Sequence, residues 1–281
     1  MPLNDGINQM VQALRDSRID IAIALTEGLV AALASRATHF KLIGTYTSTP
    51  LTWSIATSKT KYASATPEKG PRDDLKNTKI GISRFGSGSH LIPFVLADQQ
   101  GWLTTGADGK LQKPPFEFVA LKDITGLVDG ITSGTIDAFL WERFMTKPWY
   151  DNGTLHHHSN ITPPWPAFLI AASTSLLSSV PSDKLTGLLD IVNTYTSQFV
   201  GVDLESGQSV EFVKNHFGQK EEDVKAWFKT VGYPTDAKEV SRGVLEKCLE
   251  LLKKAGAVQI QGSNEVTPDD MIDGKVAKLV Q

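Results

Sequence analysis

The sequence predicts an α/β protein of two lobes, with mixed, mainly parallel sheets and a helical C-terminal part. Three observations carry that expectation. Short apolar runs alternate with amphipathic segments through residues 7–142, the pattern of strands joined by helices. A unit recurs: residues 14–27 read LRDSRIDIAIALTE and residues 131–142 read ITSGTIDAFLWE. Each is a helix end, a polar turn, Ile-Asp, an apolar strand and a glutamate. They lie too far apart for a solenoid repeat, so they suggest two similar lobes. The plainer explanation, that any two βα units look alike, stays open. Finally, beyond Pro181 the apolar spacing turns helical almost to the end.

Taken in order, Ile7, Met10, Val11 and Leu14 recur at helical spacing over residues 7–18. Residues 19–25 read as a short buried strand, and a second helix follows over 29–35. Residues 40–44 and 51–56 read as strands, the latter started by Pro50. Residues 58–74, rich in Ser, Thr, Lys, Pro and Gly, make a surface loop. A strand at 79–82, a helix at 89–100, a strand at 116–119, a helix at 124–133 and a strand at 136–141 complete the alternation. Helical periodicity then covers 185–199, 208–217, 221–230 and 237–254.

Composition excludes several classes. The 281 residues carry a net charge of −3 with no basic run, so nucleic acid is not an expected partner. Cys248 is the one cysteine, which removes an internal disulfide and a cysteine metal cluster and suits a reducing compartment. The opening MPLNDGINQM shows no secretory signal, and the apolar stretch 21–34 is too short to span a bilayer and contains Glu27. The expectation is a cytoplasmic protein without membrane insertion, metal or cofactor.

The most informative stretch is GISRFGSGSH, residues 81–90. Gly81 and Gly86 have the spacing of a phosphate-binding loop, but Ser87 stands where its lysine would be. A dinucleotide fingerprint lacks its third glycine, and none of Ser83, Ser87 or Ser89 has the flanking glycines of a nucleophile elbow. A strand, a Gly-Ser-Gly-Ser turn and a helix leave backbone N–H groups at the helix start. With serine hydroxyls and the helix dipole these favour an anion. Arg84 adds a bidentate donor for carboxylate, sulfonate or phosphate. The alternative is that Ser87 or Ser89 merely caps the helix.

Other candidates carry less. His156, His157 and His158 form a short tract flanked by Asn, Gly and Ser, better read as an exposed turn than as a metal site. Trp141 and Glu142 read equally as strand-end packing with a solvated carboxylate or as a stacking wall with an acceptor. Residues 163–166, PPWP, read as a rigid connection between lobes, able also to line a cleft. Glu27 and Glu142 could act as a catalytic acid pair, at a separation sequence does not set.

Six segments together resemble the type II periplasmic solute-binding fold: IDIAIALTEG (19–28), GTYTSTPLTW (44–53), IGISRFGSGSH (80–90), IDAFLWERFMTKPW (136–149), TPPWPAFLIAAS (162–173) and EEDVKAWFKTVGYP (221–234). The nearest branch is the nitrate/sulfonate/taurine-binding and thiamine-precursor-related one, and within it a fungal, non-secreted group. That resemblance implies two α/β lobes closing over a small anionic ligand, with crossings near 49–56 and 164–171. Lobe one would be residues 1–50 plus 168–281, and lobe two residues 51–167. It implicates Thr26 and Glu27 from lobe one, Arg84, Ser87, Gly88, Ser89, His90, Trp141 and Glu142 from lobe two, and Trp165 at the crossing.

Two departures accompany it. The family's first βα unit has no counterpart before residue 5, so lobe one is expected to lack a strand, expose a sheet edge and bind more weakly. The cysteine-rich motif of related self-consuming thiamine-pyrimidine synthases is missing, which argues against that chemistry. The resulting expectation is a ligand-binding protein working by hinge closure, in a sensing, carrying or biosynthetic accessory role rather than docked on a membrane transporter. Two alternatives stand: an enzyme of thiamine-precursor or sulfonate metabolism with His90 or Glu142 as base, and a decayed paralogue without a ligand.

Overall fold

The computed structural model describes residues 7–66, 73–106, 111–258 and 266–281. The opening MPLNDG and the middle of the 58–74 loop lie outside the described residues. Helix α1 (Ile7–Arg15) leads to strand β1 (Ile21–Leu25), helix α2 (Thr26–Ala34) and strand β2 (Phe40–Thr45). The chain then builds β3 (Trp53–Thr57), β4 (Lys79–Ile82), α3 (Gly88–Gln99), β5 (Glu117–Ala120) and α4 (Ile124–Thr132). It continues through β6 (Ala138–Glu142), α5 (Arg143–Asp151) and β7 (His156–Ile161). It returns through β8 (Phe168–Ser173) to α6 (Thr174–Ser179), α7 (Ser182–Val200), α8 (Val202–Glu205), α9 (Gln208–Phe217) and α10 (Glu221–Phe228). Strand β9 (Glu239–Ser241), α11 (Arg242–Lys254), α12 (Pro268–Met271) and β10 (Lys278–Val280) end it.

These strands form two principal sheets. The larger has the order β5-β4-β6-β3-β7, and the smaller has the order β1-β8-β2. β4 runs parallel to β5 and β6, whereas β3 is antiparallel to both β6 and β7. In the smaller sheet β8 is antiparallel to β1 and β2. The larger sheet is mixed and the smaller wholly antiparallel, so parallel pairing does not dominate. The reason is that β3 and β8, the strands following each passage between sheets, run against their neighbours. A third parallel pair, β9 with β10, lies apart. β1 is an edge strand: its only strand partner among the described residues is β8.

The two passages hold each other. Ala167 N–H donates to Thr49 O (2.9 Å), and Phe168 N–H to the Thr47 hydroxyl (3.0 Å). Gly232 clamps the same segment from the far side, its N–H on the Thr49 hydroxyl (2.9 Å) and its carbonyl accepting Ser48 N–H (2.9 Å).

One apolar core runs through both units. Leu29 and Leu33 of α2, Ile92 and Leu96 of α3, and Leu245 and Leu252 of α11 pack with Ile80, Ile82 and Leu140 of the larger sheet. Full burial of such side chains stabilises by about 1.5–3 kcal/mol each, so the units adhere along α2, α3 and α11. Lys254 of α11 bonds Asp98 of α3 at the rim of that contact.

Two sequence expectations change here. The histidine tract is strand β7 rather than an exposed turn, with His158 fully buried, 3.3 Å from Asp74 Oδ1 and edge-on to Tyr62. Residues 237–254 divide into β9 and α11, because Ser241 caps the helix by accepting Val244 N–H and ends the strand before it.

Candidate functional site

The start of α3 is built from the glycine-serine loop. Gly86 takes φ +78°, the left-handed region where a side chain is strained. Ser87 N–H and Oγ both donate to Arg84 O, at 3.2 and 2.7 Å. Ser89 Oγ accepts Ser83 N–H (3.0 Å) and touches the hydroxyls of Ser87 (2.9 Å) and Ser83 (3.2 Å). His90 Nδ1 accepts Gly86 N–H (3.1 Å), and its ring meets Phe85, Phe94 and Phe118 edge-on. Burial among these rings lowers its pKa to about 4, so the imidazole is neutral at physiological pH. The serine and histidine side chains therefore shape the loop. The loop's remaining donors are main chain: Gly88 and Ser89 N–H, first-turn groups of two buried residues with no acceptor among the described residues.

This helix start faces the other unit closely. A Cβ on Gly88 would stand 2.7 Å from Leu25 Cδ1 and 2.9 Å from Trp53 Cη2. Leu25 ends β1, and the next two residues are the candidates Thr26 and Glu27. Thr26 bonds the returning passage twice, N–H to Ala167 O (3.0 Å) and hydroxyl to Pro166 O (2.6 Å). Glu27 is 2% exposed; its Oε2 accepts Trp165 Nε1–H (3.1 Å), while Oε1 has no partner among the described residues. Burial pushes this carboxyl up to about 7. Trp165 is thus a buried strut on Glu27 rather than an open stacking wall. Trp53, 5% exposed, buries its indole N–H without an acceptor among the described residues.

Trp141 and Glu142 diverge. Side chains alternate along β6: Ala138 and Leu140 join the shared core, whereas Phe139 and Trp141 pack on the opposite face with Leu127 and Val128. Glu142 follows Leu140's face, directly across from Trp53 in register. It caps α5, with Oε2 accepting Met145 N–H (2.7 Å). Burial raises its pKa; hydrogen bonds from Met145 and Phe144 N–H and the nearby Arg143 charge oppose that rise.

Glu142 also borders two adjoining cavities, of about 150 and 330 Å³, which share Leu51, Phe168 and Trp227 as walls. The smaller adds Thr47, Thr49, Tyr46 and Tyr233; the larger opens between α5 and the α9–α10 pair. Across its mouth Lys147 of α5 meets Asp223 of α10 (3.3 Å), and Lys220 meets Asp151 (2.7 Å).

The candidate residues therefore divide. Leu25–Glu27, Trp165, Trp53 and the start of α3 gather at the contact between units. Glu142 stands over the cavities beside them, and Trp141 and the His90 ring turn elsewhere. Trp53 and Trp227 escaped sequence reading because each sits in an ordinary strand or helix pattern; the Thr/Tyr-rich run 45–49 before Pro50 was the available signal. Among the described residues no group of three or more His, Cys, Asp or Glu is placed to hold a metal ion, and no helix is long and apolar enough to cross a membrane.

Residues 53–161 match the family model described as Ca3427-like PBP. The CA3427 gene product of Candida albicans, described as defining a family with the generic periplasmic binding protein fold, superposes with a TM-score of 0.79 at 26% identity, over 99% of this chain and 85% of that one. The aliphatic sulphonate binding protein SsuA of Escherichia coli gives 0.67 at 16%, over 95% and 84%. The alkanesulfonate-binding protein SsuA of Xanthomonas axonopodis pv. citri, bound to MOPS, gives 0.64 at 15%, over 91% and 85%. No curated protein matches the chain.

Proposed function

We propose that this chain, which has the two-lobed type II periplasmic-binding-protein fold, is a small-molecule-binding protein that grips its ligand between the lobes, with an anionic group of the ligand on the start of α3. The observation that carries this is a set of polar groups at the contact between lobes without partners among the described residues. Glu27 Oε1 comes from one side, and Trp53 Nε1–H from the other. The free first-turn N–H groups of Gly88 and Ser89 lie on the same side as Trp53. Buried polar groups are normally bonded, and those left over at a junction are what a ligand satisfies.

The lobes in this reading are residues 1–50 plus 168–281, and 51–167, hinged at 49–56 and 164–171. The hydrogen bonds of Thr49 and Ala167 would be the pivot. A ligand bonded to both sides favours the closed state by its differential affinity for it. An anion is favoured by the helix start and is consistent with the sulfonate-binding neighbours. The buried, lone Cys248 suits a cytoplasmic setting.

The test is thermal-shift titration with small sulfonates, phosphate and carboxylates, beside native mass spectrometry of protein from its own host. A specific ligand at a hundred times its Kd stabilises by about 2.7 kcal/mol. No stabilisation by any anion at saturation overturns the anionic reading. Ser87→Ala with Ser89→Ala should weaken binding, because these hydroxyls hold the loop, while circular dichroism stays native. Unchanged affinity reduces the loop to a helix cap. A ligand altered on release would make the protein an enzyme.

A further inference from the structure

We propose that the groove between α5 and the α9–α10 pair is a subsite for an apolar or aromatic ammonium group, with Glu142 as its counter-ion and Trp227 as its wall. The proposal deepens the binding-protein reading and rests on it only in placing a ligand between the lobes.

The walls are chemically one-sided. Phe144, Phe168, Phe217 and Trp227 supply aromatic surface, and Phe217 and Met145 are 63% and 53% exposed at the mouth. Apolar surface left to water in a concave site gains by being covered. Among the described residues the charged ones lining the two cavities are Glu142 and Asp223, with no Lys, Arg or His in either wall. Asp223 is answered by Lys147, which also bonds Asp151. Glu142 differs: its bonds are from backbone N–H groups, and Arg143, the next residue, acts on it only through its charge while lying over the Phe144 ring (5.4 Å). A carboxylate in an aromatic groove with no ion-pair partner among the described residues favours a cationic guest. It repels an anion, and the indole and phenyl faces attract an ammonium through their quadrupoles. The walls exclude a bare metal ion, because a single carboxylate is available to ligate it.

The two poles are complementary. An ammonium at Glu142 and an anionic group at Gly88 lie on either side of Trp53, which contacts Gly88 and pairs with Glu142 across β3 and β6.

The test is calorimetric titration of the full chain with phenethylamine, against 2-phenylethanol and 3-phenylpropionate. The amine should bind about tenfold tighter than the alcohol, the scale of one partly desolvated charge-assisted bond, and the carboxylate more weakly than either. Glu142→Gln keeps an acceptor for Met145 N–H and should erase the amine's advantage. Trp227→Leu should weaken amine and alcohol together. In the unaltered protein the advantage should shrink between 20 mM and 0.5 M salt, roughly from one extreme of screening to the other, so the proposal is testable even if a variant misfolds. Equal binding of amine and alcohol, or an advantage surviving Glu142→Gln, overturns it. Binding of sulfonates without amines removes this proposal alone. Binding of amines without any anion removes the anion reading and leaves this one.

Discussion

Replacing Glu27 by glutamine should stabilise the protein, and only above mildly acid pH. The carboxyl is 2% exposed, and burial outweighs the hydrogen bonds from its own backbone N–H and from Trp165, raising its pKa from 4.5 to about 7. The folded chain therefore binds a proton more tightly than the unfolded one, and between those values folding takes up protons. Stability from this group is complete below pH 4.5 and is lost as pH rises through about 7. At about 1.4 kcal/mol per unit, the loss reaches about 3 kcal/mol by pH 8. Glutamine matches the shape of the protonated acid, can still accept Trp165 N–H, and carries no charge to desolvate. The variant should thus equal the wild type at pH 4.5 and exceed it by about 3 kcal/mol at pH 8, or about 6 °C in Tm for a chain of this size. His90 tilts the other way: its imidazole, lowered to about 4, makes stability rise with pH up to its ordinary 6.5. The two slopes oppose one another in the wild type, so the difference between wild type and variant isolates Glu27. Calorimetric melts from pH 4.5 to 8 measure it. A gain that is constant across that range, or no gain at pH 8, refutes the assignment of a costly buried carboxylate.

Three further outcomes follow from the same contacts. Gly88→Ala places a methyl 2.7 Å from Leu25 Cδ1 and should cost about 1–3 kcal/mol in denaturant unfolding; an unchanged midpoint means that the lobes do not meet there. The His90 imidazole resonances should stay at their neutral positions from pH 8 down to about 5, reflecting its aromatic cage, and a midpoint near 6.5 in an NMR titration contradicts that. Asp223→Asn removes the Lys147 bridge across the groove and should loosen closure by no more than about 1 kcal/mol, a difference that vanishes in high salt; the radius of gyration from small-angle scattering reads it, and a salt-independent change would point to packing instead.

The alternation of strands and helices was legible because apolar runs such as IAIAL and KIGI fit a half-buried or buried strand. Helix α9 lies at residues 208–217, as its periodicity indicates. β7 escaped because HHHSNI is polar by composition, yet His158 and Ser159 are buried and bonded to one another. α5 escaped because Pro148 sits inside it and its charged residues mask the apolar stripe. The recurring Ile-Asp-strand-Glu unit is real at both strand ends but two residues out of step. Glu142 itself caps α5, whereas Leu25 occupies the cap position of α2 and Glu27 falls inside the helix. One glutamate is thereby held at the cavities and the other is sealed beneath Trp165. That difference depends on the packing of segments distant in sequence, which no local pattern encodes. The same holds for the loop of residues 83–90. Its strand–turn–helix shape was readable, but not the internal bonds that occupy its serine and histidine side chains.

The position of β8 has a consequence for synthesis on the ribosome. β1 and β2 are each paired to β8 and not to one another, and β8 begins at Phe168, after the entire larger sheet has been made. The first strands to emerge must wait, unpaired, while the nested unit between them and their partner is translated. Such late, long-range pairing is slow to form. The nested unit can collapse first, reversing the usual order in which N-terminal parts settle before later ones. Until β8 arrives, the IAIAL and FKLIGT segments are bare β-forming sequence, the form of a nascent chain that chaperones recognise.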